Sequence, residues 1–286
     1  MAAVVLALCS AAAFGSLAVT LTRALGRYGD AELGAFATIL AALIPVGIGA
    51  LVRFEWEGAV WPYLLAGLLA PGASQILYVR AVQKAGASRT ALVVGAAPLV
   101  SVTIALAAFG EPIRAPLIVG ALLIVFGGIA LTRESVRPES FRMVGLLLAF
   151  ASAAFFATRD NVVRHLATRD HVSPELAAAA TIVAGGALVL VVLTARRGWS
   201  GPVRGLRPAF VAFAPSGILW GLSYIFLFEA FSRGRVSIVS PLVAVESLVG
   251  VVLAALLLGR TELVGRHLWI GAALIVTGGA LIGAFR

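Results

Sequence analysis

Long apolar runs, each near the roughly 20 residues that a membrane helix needs, follow one another along the whole chain and leave only short connectors between them. They occupy approximately residues 4–24, 33–52, 60–80, 87–108, 115–132, 143–163, 175–195, 209–229, 236–257 and 267–285. A helix rises about 1.5 Å per residue, so each run can cross a hydrocarbon layer of roughly 30 Å. The runs are uniformly apolar rather than alternating, which selects helices over the strands of a barrel wall. Of 286 residues, 61% are hydrophobic and 12% charged, whereas a soluble domain is nearer half apolar and a quarter charged. The expectation is an all-α integral membrane protein with ten transmembrane helices and no soluble domain.

Charge and cysteine content narrow the class further. The net charge of +9 would raise nucleic acid as a partner of a soluble protein. Here most Lys and Arg fall in the connectors, where they set orientation and meet anionic headgroups. No basic surface interleaved with aromatics is present, so the reading is a lipid bilayer partner and no nucleic acid. Cys9 is the only cysteine, which rules out an intrachain disulfide or a cysteine metal cluster. The run from Met1 to Leu21 lacks a basic leader region, and Leu8 is too bulky to precede a lipoprotein cleavage site. It reads as an uncleaved first span.

An internal repeat organises the runs. Gly72-Ala-Ser-Gln-Ile-Leu-Tyr-Val-Arg-Ala81 aligns with Gly221-Leu-Ser-Tyr-Ile-Phe-Leu-Phe-Glu-Ala230, and the register continues to Gly110 and Gly259. After a two-residue insertion, Gly120-Ala-Leu-Leu-Ile-Val-Phe-Gly-Gly128 lies opposite Gly271-Ala-Ala-Leu-Ile-Val-Thr-Gly-Gly279. Two halves of five spans follow, residues 1–132 and 143–286, joined by a linker at 133–142. Five is odd, so the second half must enter the membrane from the opposite side. Inverted repeats are the usual frame for alternating access at a midplane site. The paired glycines at 120, 127 and 128 and at 271, 278 and 279 read as small faces for close helix packing.

Over essentially its whole length, and most closely in the last two spans of each half, the chain resembles the EamA-like branch of the drug/metabolite transporter superfamily. The likeness rests on Ala87-Ser-Arg-Thr-Ala-Leu-Val-Val-Gly-Ala-Ala-Pro98-Leu, Phe109-Gly110-Glu111-Pro112 and Gly120 to Gly128. In the second half it rests on Ser237-Ile-Val-Ser-Pro241-Leu-Val-Ala-Val-Glu246-Ser247, Leu258-Gly259-Arg260 and Gly271 to Gly279. Glu246-Ser247 stands where the family usually has Glu-Pro, and Gly259-Arg260 where it has Gly-Glu, with Glu262 two residues on. The resemblance implies ten helices in two inverted EamA repeats and passage of a small-molecule substrate, amino acids or related compounds, most often outward across the plasma membrane.

Ionisable groups inside spans are expensive and mark function by default. Glu246 is the eleventh residue of its run, near the midplane, and could bind a cationic or amino group or couple transport to a proton. Thr158-Arg159-Asp160-Asn161-Val-Val-Arg164-His165 closes the sixth run. Asp160 with Arg164, and Asn161 with His165, have the spacing of pairs on one helical face. Two readings stay open: a solvated helix end, or a helix continuing to His165 with Arg159 and Asp160 lining the pathway and Arg159 ready for a carboxylate. Gln75 and Tyr224 are repeat equivalents, and Trp220 lies one turn before Tyr224. The aromatic pair is either an interfacial belt or a substrate wall. Arg80 and Glu229 are also equivalent, but inversion puts them on opposite faces, so they are not expected to pair. Pro71-Gly72 and Pro98 interrupt their runs, as broken helices do around transporter sites.

Rival classes find little support. No Gly-x-Ser-Gly, no His-Glu-x-x-His and no P-loop occurs, so the residues favour neither an intramembrane enzyme nor an ATP-driven pump, and no metal or cofactor is expected. A non-transporting assembly subunit is the remaining alternative, opposed by the polar residues near mid-span. The connectors with odd numbers carry more Lys and Arg than the even ones, which favours both termini outside; the family resemblance implies both inside. Oligomeric state is not readable from the chain.

Overall fold

The computed structural model describes residues 2–52, 59–97, 99–100, 103–104, 115–133, 141–167, 172–233, 242–243, 245–259, 262–263 and 265–285. The helices in chain order are α1 (Ala2–Arg27), α2 (Ala31–Val52), α3 (Trp61–Gly67), a π-helical turn (Leu68–Ala73), α4 (Ser74–Ala85), α5 (Ala87–Val94), α6 (Ala115–Thr132), α7 (Val144–Ala167), α8 (Pro174–Arg197), α9 (Ser200–Arg233), α10 (Glu246–Leu258) and α11 (Arg266–Phe285). Among the described residues, six helical segments, counting Trp61–Ala85 as one, are long and apolar enough to cross a membrane, and three shorter apolar helices lie at Ala115–Leu131, Glu246–Leu258 and Arg266–Ile282. Pro98, Gly110-Glu111, Ser237 to Pro241, Arg260, His171 and most of the 133–142 linker lie outside the described residues.

Local chemistry sets the boundaries. Asp30 opens α2 by accepting the Glu32 and Leu33 N–H groups at 3.1 Å each, and Ser173 followed by Pro174 opens α8, as N-caps do. Gly86 takes φ +88° between α4 and α5, a value only glycine adopts freely, so α5 starts at once after α4 ends. Within Trp61–Ala85, Pro71 lacks an N–H and holds Ala70 at φ −143°, ψ 120°, which breaks the helix into α3 and α4. The equivalent stretch around Gly221 runs unbroken through α9.

Helix packing depends on absent side chains. A Cβ on Gly120 would stand 2.8 Å from the Gly278 carbonyl oxygen, and one on Gly127 would stand 2.9 Å from that of Gly271. Backbones therefore touch, as small residues allow in lipid. Gly120 meets the counterpart of Gly127, and Gly127 the counterpart of Gly120, so α6 and α11 run antiparallel. Gly128, expected on the same face, meets nothing within 4 Å.

The other contacts share this reciprocity. α1 packs on α9 as α7 packs on α4, and α2 packs on α9 as α8 packs on α3 and the π-turn. Ser10 Oγ donates to the Ser223 carbonyl at 3.0 Å, and Ser152 Oγ donates to the Ser74 carbonyl at 3.1 Å. Exchange of equivalent partners is what a two-fold relation produces. It also reveals a correspondence that the sequence analysis missed: Ser10-Ala-Ala-Ala-Phe14 matches Ser152-Ala-Ala-Phe-Phe156.

The outward faces are apolar. Ile118, Leu122, Val125 and Phe126 of α6, Leu147 and Phe150 of α7 and Val183 and Val191 of α8 are all exposed. Such a surface would aggregate in water and is at home against acyl chains. The chain is a multi-pass membrane protein.

Candidate functional site

α7 does not stop near Ala157; it runs on to Ala167. Arg159 and Asp160 consequently lie within the helix, and one helical step of about 100° turns them in different directions. Arg159 turns inward: its side chain is 3% exposed, its guanidinium lies 4.6 Å from the centre of the Tyr224 ring and 5.9 Å from that of Phe156, and Nε sits 2.8 Å from Asp160 Oδ1. Its Nη1 is buried without a hydrogen-bond partner among the described residues. Asp160 keeps 45% of its side chain exposed. The expected partner of Asp160 was Arg164; the ion pair seen is with its neighbour Arg159, and the Arg164 side chain lies outside the described set.

Glu246 begins the described part of α10 and is half-buried. It is close enough to Asp160, Arg159 and Tyr78 to interact with them electrostatically. Gly15 of α1 packs beneath it, so closely that a Cβ there would stand 2.7 Å from the Glu246 carbonyl oxygen.

Aromatic rings surround these charges. Trp220 and Tyr224 meet edge to face at 5.2 Å, and Tyr224 stacks on Phe228 at 5.9 Å. Both Trp220 and Tyr224 are fully buried, so they are not an interfacial belt. Phe14, Tyr78 and Phe156 form a triad with centroids 5.8 to 6.3 Å apart. Phe156 therefore links the triad to Arg159. Gln75 lies one turn before Tyr78 on α4, fully buried, and neither atom of its amide has a partner among the described residues; the same is true of Trp220 Nε1, whereas the Tyr224 hydroxyl faces Arg159. Buried polar atoms normally find partners, so unmet groups beside a charged centre fit a place for a polar guest. Asn161 is different: its Nδ2 donates to the Ala157 carbonyl at 2.8 Å, which ties it to its own helix.

Of the residues that the sequence singles out, Arg159, Asp160, Tyr224, Trp220 and Glu246 lie near one another, with Gln75 one turn from Tyr78. Phe14, Tyr78 and Phe156 are not among them. The Ser-Ala-Ala-x-Phe match between the first and sixth runs was the available signal.

Two further polar clusters lie away from this centre. Glu32 of α2 pairs with Arg80 of α4 and with Arg196 and Arg197 of α8, the last two at 2.5 and 2.7 Å, and Asp30 pairs with Arg197. Partial burial works against the charged form of Asp30, but Arg197 and the Leu33 and Glu32 N–H groups outweigh it and hold the carboxyl below the usual carboxylate range. Glu229 pairs with Arg233, so Arg80 and Glu229 each have their own partner. In the other cluster Glu262 accepts from Ala87 N–H at 2.7 Å and from the Ser88 N–H and hydroxyl, capping α5, while buried Arg89 donates to the Glu262 carbonyl at 2.9 Å. Glu262, displaced from the usual Gly-Glu position, thus joins the α10–α11 connector to the first half.

Among solved structures, a crystal structure aligns with a TM-score of 0.61 at 21% identity, covering 98% of this chain and 95% of its own; at that identity the likeness speaks for the fold. Comparison with curated proteins returns no significant match. The EamA-like transporter family matches twice, over residues 1–133 and 143–284, which together span nearly the whole chain, and the protein belongs to that family of drug/metabolite-type membrane transporters.

Proposed function

We propose that this protein is a secondary transporter that moves small polar metabolites, amino acids or related compounds, by alternating access through a cavity between two inverted five-helix halves. The halves are residues 1–132 and 143–286, the membrane is the plasma membrane and the direction is outward. The observation that carries this reading is the convergence of Arg159, Asp160 and Glu246 on the buried Tyr224 ring, with the buried amide of Gln75 left unmet among the described residues. Charged groups held at membrane depth beside vacant hydrogen-bonding atoms are suited to a polar guest that comes and goes. The two-fold exchange of contacts supplies two related rearrangements of one frame, one open to each side. Glu246 carries the coupling proton.

Reconstituted protein should show saturable counterflow for at least one member of a panel of amino acids, amines and organic acids, with uptake responding to an imposed pH gradient. Flux that never saturates would indicate a channel, and no flux across the panel would remove the transport reading. Glu246→Gln should abolish the response to the pH gradient while the purified protein still unfolds cooperatively. An unchanged response would exclude Glu246 from coupling.

A further inference from the structure

We infer that a hollow at one end of α2, α4 and α8 binds the phosphate ester of an anionic phospholipid. The site is built from other residues than the central charges and stands independently of the transport reading.

The hollow measures about 360 Å³, and its lining includes Asp30 and Glu32 of the α2 start, Arg80 and Gln83 of α4, and Arg196 and Arg197 of α8. Glu32 lies deep and two of the cations lie shallow: its side chain is 9% exposed, against 36% for Arg80 and 57% for Arg196. An approaching group therefore meets guanidinium N–H groups before it meets Glu32. Arg197 is spent on both oxygens of Asp30 and on Glu32. Arg80 and Arg196, by contrast, each make one hydrogen bond among the described residues, to the same Glu32 oxygen. Most of their N–H groups stay open, in the planar fork that suits phosphate oxygens. Three arginines against two carboxylates also leave one positive charge.

The surroundings favour a lipid over a dissolved phosphate ester. Val183, Ala187, Val191 and Ala195 are all exposed at four-residue spacing, which makes one outward stripe along α8 that ends beside Arg196. Exposed Trp199 follows two residues after Arg197, as Trp does at a membrane–water boundary. Acyl chains lying on the stripe bring their headgroup to Arg196. The charge is also confined to one side of the membrane. Glu32 and Arg80 have Glu175 and Glu229 as repeat counterparts, and in the α2–α8 register Asp30, Arg196 and Arg197 answer to Ser173, Arg53 and Phe54. One positive charge at this end thus becomes one negative charge in the counterpart set, so the site belongs to one leaflet alone.

The test is native mass spectrometry of the purified full chain in an uncharged detergent, titrated with phosphatidylglycerol, phosphatidylcholine or glycerol 3-phosphate. One phosphatidylglycerol should be retained at least about tenfold more tightly than phosphatidylcholine, a separation that one matched charge supplies, and glycerol 3-phosphate at equal concentration should not displace it. Arg196→Gln should weaken phosphatidylglycerol binding about tenfold, as loss of a charged hydrogen bond does, and leave phosphatidylcholine binding unchanged. That variant should fold, because Arg196 is more than half exposed and Glu32 keeps Arg80 and Arg197. Arg80→Gln is the second variant, with the same expected loss. Arg233→Gln, which removes the partner of Glu229, should alter neither affinity. Loss of the preference in either hollow variant with its retention in Arg233→Gln upholds the inference. Equal binding of the two lipids, a preference kept in both Arg196→Gln and Arg80→Gln, or an equal loss in Arg233→Gln would overturn it. Displacement by glycerol 3-phosphate would overturn it too, by assigning the hollow to a dissolved phosphate ester.

Discussion

The two halves share a frame but not a chemistry. Where the first half has Leu17 and Ala18 on α1, the second has Arg159 and Asp160 on α7; Ala97 corresponds to Glu246, and Gln75 to Tyr224. The frame positions between them are alike: Ser10 and Ser152 make the same bond, Phe14 and Phe156 touch each other, and Gly120 and Gly271 approach the opposite backbone. Residues alike in both halves build the two-fold. Residues that break the likeness put fixed charge in the second half alone. A substitution that makes the halves more alike should therefore damage function more than fold, and one that breaks a shared position should do the opposite.

The largest effect is expected from giving the second half the first half's residues. Arg159→Leu together with Asp160→Ala removes a partly buried ion pair as a unit, which is often nearly neutral for stability. Transport should fall by about two orders of magnitude or more, consistent with loss of charge contacts worth several kcal/mol, while the melting temperature stays close to that of the native protein. The single changes should differ. Asp160→Ala strands a buried guanidinium and should destabilise by about 3–5 kcal/mol, whereas Arg159→Leu leaves a carboxylate that is already accessible and should destabilise less. Thermal unfolding of the three variants in one detergent checks the order, and a double variant less stable than both singles would break the argument.

Glycine positions test the shared frame. Alanine at Gly120 or at Gly271 would bring Cβ against a carbonyl of the opposite helix, and overpacking of this kind costs about 1–3 kcal/mol. The two substitutions should be equally harmful, because each contact is the other's counterpart. Gly128→Ala, facing open space, should be neutral or slightly stabilising, since alanine lowers the entropy lost on ordering. Unequal losses at Gly120 and Gly271, measured by thermal unfolding, would argue that the two-fold is only apparent at this pair.

How much was legible in the sequence follows from the same contrast. Repeat glycines and long apolar runs are governed by local rules, so the six clear spans and the Gly120 and Gly271 faces could be read directly. Charged residues within the runs stood out against lipid, which is why Glu246, Arg159 and Asp160 could be singled out as candidates. Their arrangement was not legible, because which of two adjacent residues turns toward Tyr224 depends on how α7 and α9 pack. Periodicity favoured Asp160 with Arg164, yet Arg159 curls back because the Tyr224 and Phe156 rings close over it. Gly128 was read as packing and faces outward for a similar reason. The π-turn at Pro71 was foreseeable as an interruption, but nothing local showed that the other half would run straight through the equivalent place.

The smallest effect concerns the α2 and α8 caps, Asp30-Ala-Glu-Leu33 and Ser173-Pro-Glu-Leu176, which are counterparts. Both side chains accept the N–H of the third residue on, but only Asp30 adds an ion pair, with Arg197. Asp30→Ser would keep a good cap and remove the charge. Because the folded carboxyl is held below its ordinary value, its contribution is fully present above the unfolded pKa of about 3.9 and is lost as pH falls through the lower folded value. Native protein should therefore lose stability more steeply than Asp30→Ser between about pH 5 and pH 3. At pH 7 the two should differ by no more than about 1 kcal/mol, since the pair is partly exposed and screened. Parallel melting curves across that acid range would show that the Arg197 pair contributes nothing, and that the two caps, unlike the Leu17 and Arg159 positions, are equivalent in energy as well as in place.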